Sequence, residues 1–257
     1  MLAEQRRRQI LEILGKRGAV SVNELYRRLQ VSRETIRRDI TKLDSEHKLR
    51  KTHGGALAKD QVEPPFADRM ETNIEGKRAI GQEAAVLVPD GASLIINSGT
   101  TTLCLAESLS DRQRLIVYTN DIHVASSLAG RNDNRVILLG GEMQGIEGGT
   151  LGRDTTDCLS NYFADFCFIG ASALNADPVL SDFSREQAEF HAQMIVHARI
   201  AVLLVDHTKF DKRAPVRVDN LERVTHIVTD RKMDKNLDQS LTALGAELIS
   251  AEVVDEN

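Results

Sequence analysis

The chain has 257 residues, of which 41% are hydrophobic and 28% charged, a composition that excludes a disordered or fibrous chain and suffices for one large domain and one small one. Its net charge of −5 is unevenly spread: residues 1–59 carry 15 Lys/Arg against 7 Asp/Glu, the remainder 18 against 31. A basic segment on an acidic body implies a polyanion-binding module attached to a body that repels the same polyanion.

Three cysteines, Cys104, Cys158 and Cys167, show no metal-ligand spacing and leave one unpaired in any disulfide scheme. They are expected to be buried packing residues in a reducing compartment. The start, "MLAEQRRRQILEILGKRG", breaks its apolar positions with charges, and no later run reaches membrane-spanning length. The expected location is the cytoplasm, with no membrane partner.

In chain order, Ile10, Leu11, Ile13 and Leu14 mark one side of a helix from about Ala3, with Gly15 or Gly18 to end it. Ser21 with Glu24 three residues later starts a short second helix lined by Val22, Leu25 and Leu29. A third begins at Ser32 after a tight connection, with Ile36, Ile40 and Leu43 turned inward. That leaves Arg33, Thr35, Arg37, Arg38 and Lys42 on or beside the outer surface, where guanidinium groups reach phosphates or guanine edges. "LRKTHGGALA" then predicts a basic β-hairpin, in which Leu49, Lys51 and His53 alternate before the Gly54-Gly55 turn. Helix, helix, basic helix, hairpin is the order of a winged helix-turn-helix.

These residues, "RRRQILEIL" and "VSVNELYRRLQVSRETIRRDITKLDSEHKLRKTHGGA", resemble the N-terminal domain of the DeoR family of bacterial transcriptional regulators. The resemblance implies a double-stranded DNA operator as partner. The candidate contacts are Ser32, Arg33, Thr35, Arg37, Arg38, Lys42, Lys51, His53 and Gly54, with His53 and the Gly54-Gly55 tip as the wing.

Pro64-Pro65, in a polar stretch, places a domain boundary: a DNA-binding domain over 1–59, a linker over 60–73 and a body over 74–257. A helix from Ile74 is expected to end at Pro89-Asp90-Gly91. The runs "SLIIN", "LIVYTN", "RVILLGG", "FCFIGAS", "IAVLLVD", "THIVTD" and "AELISA" then alternate with segments of helical period. The predicted fold class is therefore α/β, a winged helix-turn-helix followed by a doubly wound, mostly parallel sheet covered on both faces.

Ligands of such sheets sit beyond the strands' carboxyl ends. There "NSGTTT" offers Gly99, Thr100 and Thr101 at a helix N-terminus, a setting that suits phosphate. Asn120, Gly141 and Gly170 follow further strands, while Gly152, Gln144 and Arg153 belong to a glycine-rich loop beside them. Asp182 and Glu186 are possible acceptors for sugar hydroxyls, and Lys209 in "VDHTKF" is a possible phosphate cation. No P-loop, strand-leading G-x-G-x-x-G or H-E-x-x-H occurs, so neither a cofactor nor a metal is expected.

"SGTTT", "VYTND", "LLGGE", "GGTLG", "ADFCFIGAS" and "VDHTKF" resemble the effector domain of the same family, whose sheet is like that of ribose-5-phosphate isomerase and glucosamine-6-phosphate deaminase. The resemblance implies that a sugar phosphate or related metabolite occupies the pocket and releases DNA. It carries over Gly99, Thr100, Thr101, Asn120, Gly141, Gly152, Asp182 and Lys209. Two departures stand out: Gln144 replaces a frequent Arg, and "REQAEFHAQM" lacks a frequent Lys. Either Arg153 supplies the missing cation or the effector carries less charge than a typical sugar phosphate.

Two further classes compete with a ligand-controlled repressor. An isomerase or deaminase would use Asp182, Glu186 and His191 to move protons. A DNA-binding scaffold with a ligand-blind body would have no use for the glycines and threonines gathered at one sheet edge. The basic module favours a regulator without catalytic residues, working as a homo-oligomer, dimer or tetramer, whose paired recognition helices read half-sites.

Overall fold

A computed structural model describes residues 2–46, 48–58, 63–143 and 148–251. The chain divides into two compact units, Met1–Pro64 and Pro65–Asn257.

The first unit holds α1 (Ala3–Arg17), β1 (Ala19–Ser21), α2 (Val22–Leu29), α3 (Arg33–Ser45), β2 (Leu49–Lys51) and β3 (Gly55–Ala58). The Ser21 and Ser32 hydroxyls cap α2 and α3, each accepting an N–H three residues on at 3.1 Å. Such caps satisfy donors that the first turn of a helix cannot. Ile10, Leu14, Leu25, Ile36, Ile40, Leu43 and Leu49 form the core. Within it the Arg6 guanidinium donates to both Asp39 oxygens, at 2.5 and 3.1 Å, tying α1 to α3. The expected two-stranded hairpin is in fact three-stranded, in the order β1-β3-β2. The short "AVS" of β1 gives no strand signal by itself. It pairs because β3 passes so close that a side-chain carbon at Gly55 would lie 2.0 Å from the Val20 carbonyl oxygen.

The second unit opens with α4 (Phe66–Glu71), a helix inside the stretch read as linker, and α5 (Ile74–Val86). There follow β4 (Ser93–Ile96), α6 (Thr100–Ser108), β5 (Ile116–Thr119), α7 (Ile122–Leu128), β6 (Arg135–Leu138), β7 (Glu142–Met143), β8 (Thr150–Leu151) and α8 (Arg153–Leu159). The chain continues through β9 (Ala164–Gly170), β10 (Ala173–Asn175), β11 (Val179–Asp182), α9 (Arg185–Val196), β12 (Ala198–Leu204), β13 (Val216–Arg217), β14 (Val224–Thr229), α10 (Lys235–Ala243) and β15 (Glu247–Ser250).

All seven apolar runs of the sequence are strands of one sheet, ordered β15-β14-β12-β9-β4-β5-β6, and every neighbouring pair is parallel. Their side chains alternate between two cores: Phe166 and Phe168 of β9 face one, Cys167 and Ile169 the other. Burial on both faces explains the unbroken apolar strands. The same burial pushes the Cys104 and Cys167 thiols up, to about 11 and about 12, so both are inert packing groups, whereas Cys158 is only half-buried.

From β4 the chain runs outward through β5 and β6, then returns to β9 on the other side of β4. The strand order therefore reverses between β4 and β9, and their carboxyl ends frame the crevice in which such sheets hold ligands.

Candidate functional site

Because Ile36, Ile40 and Leu43 are buried, the opposite side of α3 is left to Arg33, Glu34, Arg37, Arg38, Thr41 and Lys42, all exposed. Lys51 of β2 joins them, its ammonium donating to the Thr41 hydroxyl at 3.0 Å and its N–H to Asp44 at 2.8 Å. Arg37, Arg38, Lys42 and Lys51 help to line a shallow depression of about 480 Å³.

The cations here are not equivalent. Arg38 lies 3.5 Å from Glu34 and Lys42 lies 3.4 Å from Glu46, both as exposed pairs one helical turn apart, and such pairs add little stability and yield readily to a phosphate. Arg37 has no ion-pair partner among the described residues. Arg33 is held instead, donating to the Asn23 side chain at 2.8 Å with its guanidinium 4.6 Å above the Tyr26 ring. Ser32 uses its hydroxyl as the cap of α3 and lies 2.9 Å from that of Thr35. His53 and Gly54 are exposed beyond the end of β2, where the Gly54 carbonyl accepts from Val22 N–H at 2.9 Å. The face thus presents guanidinium forks and ammonium points with few fixed partners, the chemistry that grips phosphate and guanine.

In the second unit a buried polar chain runs beneath the crevice. The Gly170 N–H donates to Asn97 Oδ1 at 3.0 Å, so the Asn97 amide nitrogen faces His191 Nε2 at 2.7 Å and donates to it. His191 Nδ1 therefore carries the hydrogen, which it gives to Asp182 Oδ2 at 2.7 Å. Asp182 is 1% exposed. The Oδ2 of Asp182, expected to accept from sugar hydroxyls, is taken up by His191.

Asn120, expected at the ligand, is fully buried and acts as a brace. Its side chain accepts from Ser98 N–H at 2.9 Å and donates to the Thr150 carbonyl at 2.7 Å, fixing the turn after β4 to β8. Gly99 has extended backbone, with φ 163°, so no left-handed turn is required there. After it Thr100 and Thr101 open α6 with 6% and 8% exposure, and the first-turn amides of α6 point to the crevice end of the sheet. Gly141, at φ 137°, is a packing site, since a side-chain carbon would lie 2.1 Å from the Thr155 hydroxyl.

Gly152 caps α8 rather than lying mid-loop. Arg153, the candidate replacement cation, is 90% exposed at its side chain and pairs with Asp157 at 3.3 Å on the surface of α8. Its helical position turns it to solvent. Glu186 is likewise exposed, in the first turn of α9. Gln144 lies outside the described residues.

Lys209 sits in a short 3-10 turn, His207–Lys209, after β12, beside a second buried cluster that the sequence did not announce. Asp230, at the end of β14, accepts from His207 N–H at 2.7 Å, from His207 Nδ1 at 2.6 Å and from the Asn73 amide at 2.9 Å. Burial alone would raise this carboxyl, but donation from Asn73 and His207 holds it below the ordinary value. Lys77 of α5 is 2% exposed. Asn97, Lys77, Asp206 and Asp230 were all missed by the reading of the sequence. The only available signal was that Asn97, Asp206 and Asp230 each directly follow an apolar run.

Among the described residues no helix is long and apolar enough to cross a membrane.

A winged helix with a cationic outer helix face, joined to a doubly wound sheet whose crevice is lined by buried polar groups, defines a DNA-binding regulator with a sensor domain. The comparisons specify it. Residues 6–62 match the DeoR-like helix-turn-helix domain and residues 72–231 the DeoR C-terminal sensor domain. The chain belongs to the DeoR family. It is 34% identical over 243 residues to the glycerol-3-phosphate regulon repressor of Escherichia coli (strain K12), covering 94% of this chain and 96% of that one. It is 31% identical over 261 residues to the HTH-type transcriptional regulator GolR of Listeria innocua, covering 98% and 100%. Among solved structures, ribose 5-phosphate isomerase A from Methanocaldococcus jannaschii aligns with a TM-score of 0.39 at 19% identity, over 54% of this chain and 55% of that one. The chain is a DNA-binding transcriptional regulator and not an enzyme.

Proposed function

We propose that the chain is a cytoplasmic repressor that binds operator DNA through α3 and the wing and lets go when a polyol or sugar phosphate fills the crevice between β4 and β9. The observation that carries this reading is the α6 N-terminus. Thr100, Thr101 and the free amides of its first turn lie at the point where the strand order reverses, the setting in which a phosphate is held by backbone and dipole. Lys209, two strands away after β12, supplies a cation to the same edge. Gly99, Thr100, Thr101, Gly152 and Lys209 are the proposed effector contacts, with Asn120, Gly141 and Asp182 shaping the edge from below. Because Arg153 points outward and pairs with Asp157, a phosphate in this site is held by the α6 amides and Lys209, and the effector's hydroxyls supply the remaining contacts. The glycerol-3-phosphate regulon repressor among the relatives supports that choice.

On the DNA side, Arg37, Arg38, Lys42 and Lys51 form the proposed contact face. Arg33, Ser32 and Thr35 set the start of α3, and His53 and Gly54 form the wing tip. A homodimer or tetramer pairs two such faces on one operator.

The test is a melting-temperature panel of glycerol 3-phosphate, other polyol and sugar phosphates, and the matching unphosphorylated sugars, followed by DNA release from the upstream promoter region. A binding ligand raises the melting temperature by mass action. A phosphorylated hit that also releases DNA is the expected outcome. A hit among unphosphorylated sugars alone, or release without any stabilising ligand, overturns the phosphate assignment.

A further inference from the structure

The short helix α4, in the stretch read as linker, is fastened to the sensor unit at both ends. At its carboxyl end the buried Lys77 ammonium donates to the backbone carbonyls of Thr72, at 2.7 Å, and of Arg69, satisfying acceptors that a helix end leaves without intrahelical donors. At its start the Phe66 ring stacks on His123, with centroids 5.6 Å apart. Arg69 follows Phe66 by three positions and so shares its face of the helix. Its guanidinium lies over the Phe66 ring, 5.6 Å from the centroid.

That face is turned to the carboxyl edge of the sheet. His123 belongs to the first turn of α7, directly after the segment that ends β5. Gly148 passes so close to it that a side-chain carbon there would lie 2.6 Å from the imidazole, and one at Gly149 would lie 2.8 Å from the Ser98 hydroxyl. Ser98 leads through Gly99 into the first turn of α6, the helix against which α4 also packs. A continuous set of contacts therefore joins the Arg69 face of α4 to the helix start proposed to hold the phosphate. Arg69 is half-buried, so a ligand can reach it. The charges agree with this placement: burial lowers the Lys77 ammonium, Asp206 raises it, and Lys209 and Arg69 lower it further, as two cations near one point of the edge must.

We propose that Arg69 is a second phosphate cation of the effector site, reaching from α4 to the anion at the start of α6. The inference deepens the reading of this sheet edge as a phosphate site and rests on it. A guanidinium presents paired N–H donors that match two phosphate oxygens, which the Lys209 ammonium does not, so Arg69 fixes the orientation of the phosphate as well as balancing its charge. Stacking engages the flat face of a guanidinium and hydrogen bonds its edge, so the Phe66 contact and a bound phosphate are compatible. Because α4 is the first element of the sensor unit after the Pro64–Pro65 boundary, the contact brings the effector onto the segment that the chain enters from the DNA-binding unit.

The test uses the full-length protein with inorganic phosphate and glycerol 3-phosphate as probes, titrated by the rise in melting temperature. Arg69→Met keeps an apolar stem against Phe66 without the charge, and Arg69→Lys keeps the charge without the fork. Arg69→Met is expected to raise the apparent Kd for both probes about tenfold or more, and Arg69→Lys by a clearly smaller factor. Wild-type affinity in Arg69→Met overturns the proposal, and so does an equal loss in both variants, since charge would then not be what the site uses. A measurement on the wild-type protein decides the matter even if Arg69→Met does not fold. Saturating probe is expected to slow modification of Arg69 by phenylglyoxal several-fold, read by peptide mass spectrometry, while leaving the outward Arg153 unprotected; an Arg69 modified as fast with probe as without overturns the proposal. Phosphates that bind without involving Arg69 sink this inference alone. If neither probe nor any phosphate of the panel moves the wild-type melting temperature, the effector reading itself has failed and the assignment of Arg69 falls with it.

Discussion

At the scale of single residues, neighbours separate side chains that look alike in the sequence. Arg33 and Arg37 are both exposed arginines of α3, but Arg33 is committed to Asn23 and the Tyr26 ring. Arg37 is not so committed, and its fork is available to one base or phosphate. Arg37→Ala is therefore expected to weaken operator binding by about 1–3 kcal/mol, roughly 5- to 150-fold, and to leave the effector-induced melting shift unchanged. Fluorescence anisotropy on labelled operator measures the first and a thermal melt the second; equal loss of both would mean that the unit had misfolded. Residue identity announced the caps at Ser21 and Ser32, because a cap is a local pattern. It did not announce that His191 closes on Asn97, 94 positions away, since long-range pairing of polar side chains leaves no periodicity to read.

At the scale of elements, hydrophobic pattern dominates, and the seven sheet strands and the three helices of the DNA-binding unit were legible for that reason. The short strands β1, β7 and β8 were not, because they borrow their order from a neighbour. The α1–α3 contact shows what apolar packing leaves to polar groups. The Arg6–Asp39 pair is bidentate, with side chains 11% and 6% exposed. Breaking one partner of a buried pair leaves the other charge stranded, at a cost of about 3–5 kcal/mol. Asp39→Ala is thus expected to unfold or loosen the first unit and abolish DNA binding. The effector-induced melting shift of the second unit should persist, and a two-probe thermal scan in which both units failed together would refute the separation.

For the whole molecule, charge division is the governing feature. Residues 1–59, with 15 Lys/Arg and 7 Asp/Glu, approach a polyanion, while the acidic remainder is repelled by it. Operator affinity should accordingly fall steeply with salt, and Lys42→Ala, which removes a phosphate-seeking point charge, should reduce the slope of log K against log salt by about 1 per half-site. Titrations at several salt concentrations measure this; an unaltered slope would take Lys42 off the DNA backbone.

The aromatic inventory has an optical consequence. The chain has no tryptophan and 3 tyrosines. Two of them, Tyr118 and Tyr162, stack on each other with centroids 4.4 Å apart in the sensor unit, while Tyr26 lies beneath the Arg33 guanidinium beside α3. Unlabelled protein therefore carries its phenols in separate territories, a stacked couple in one half and a lone ring under a cation in the other, so Tyr26→Phe leaves an intrinsic emission that belongs to the sensor unit alone.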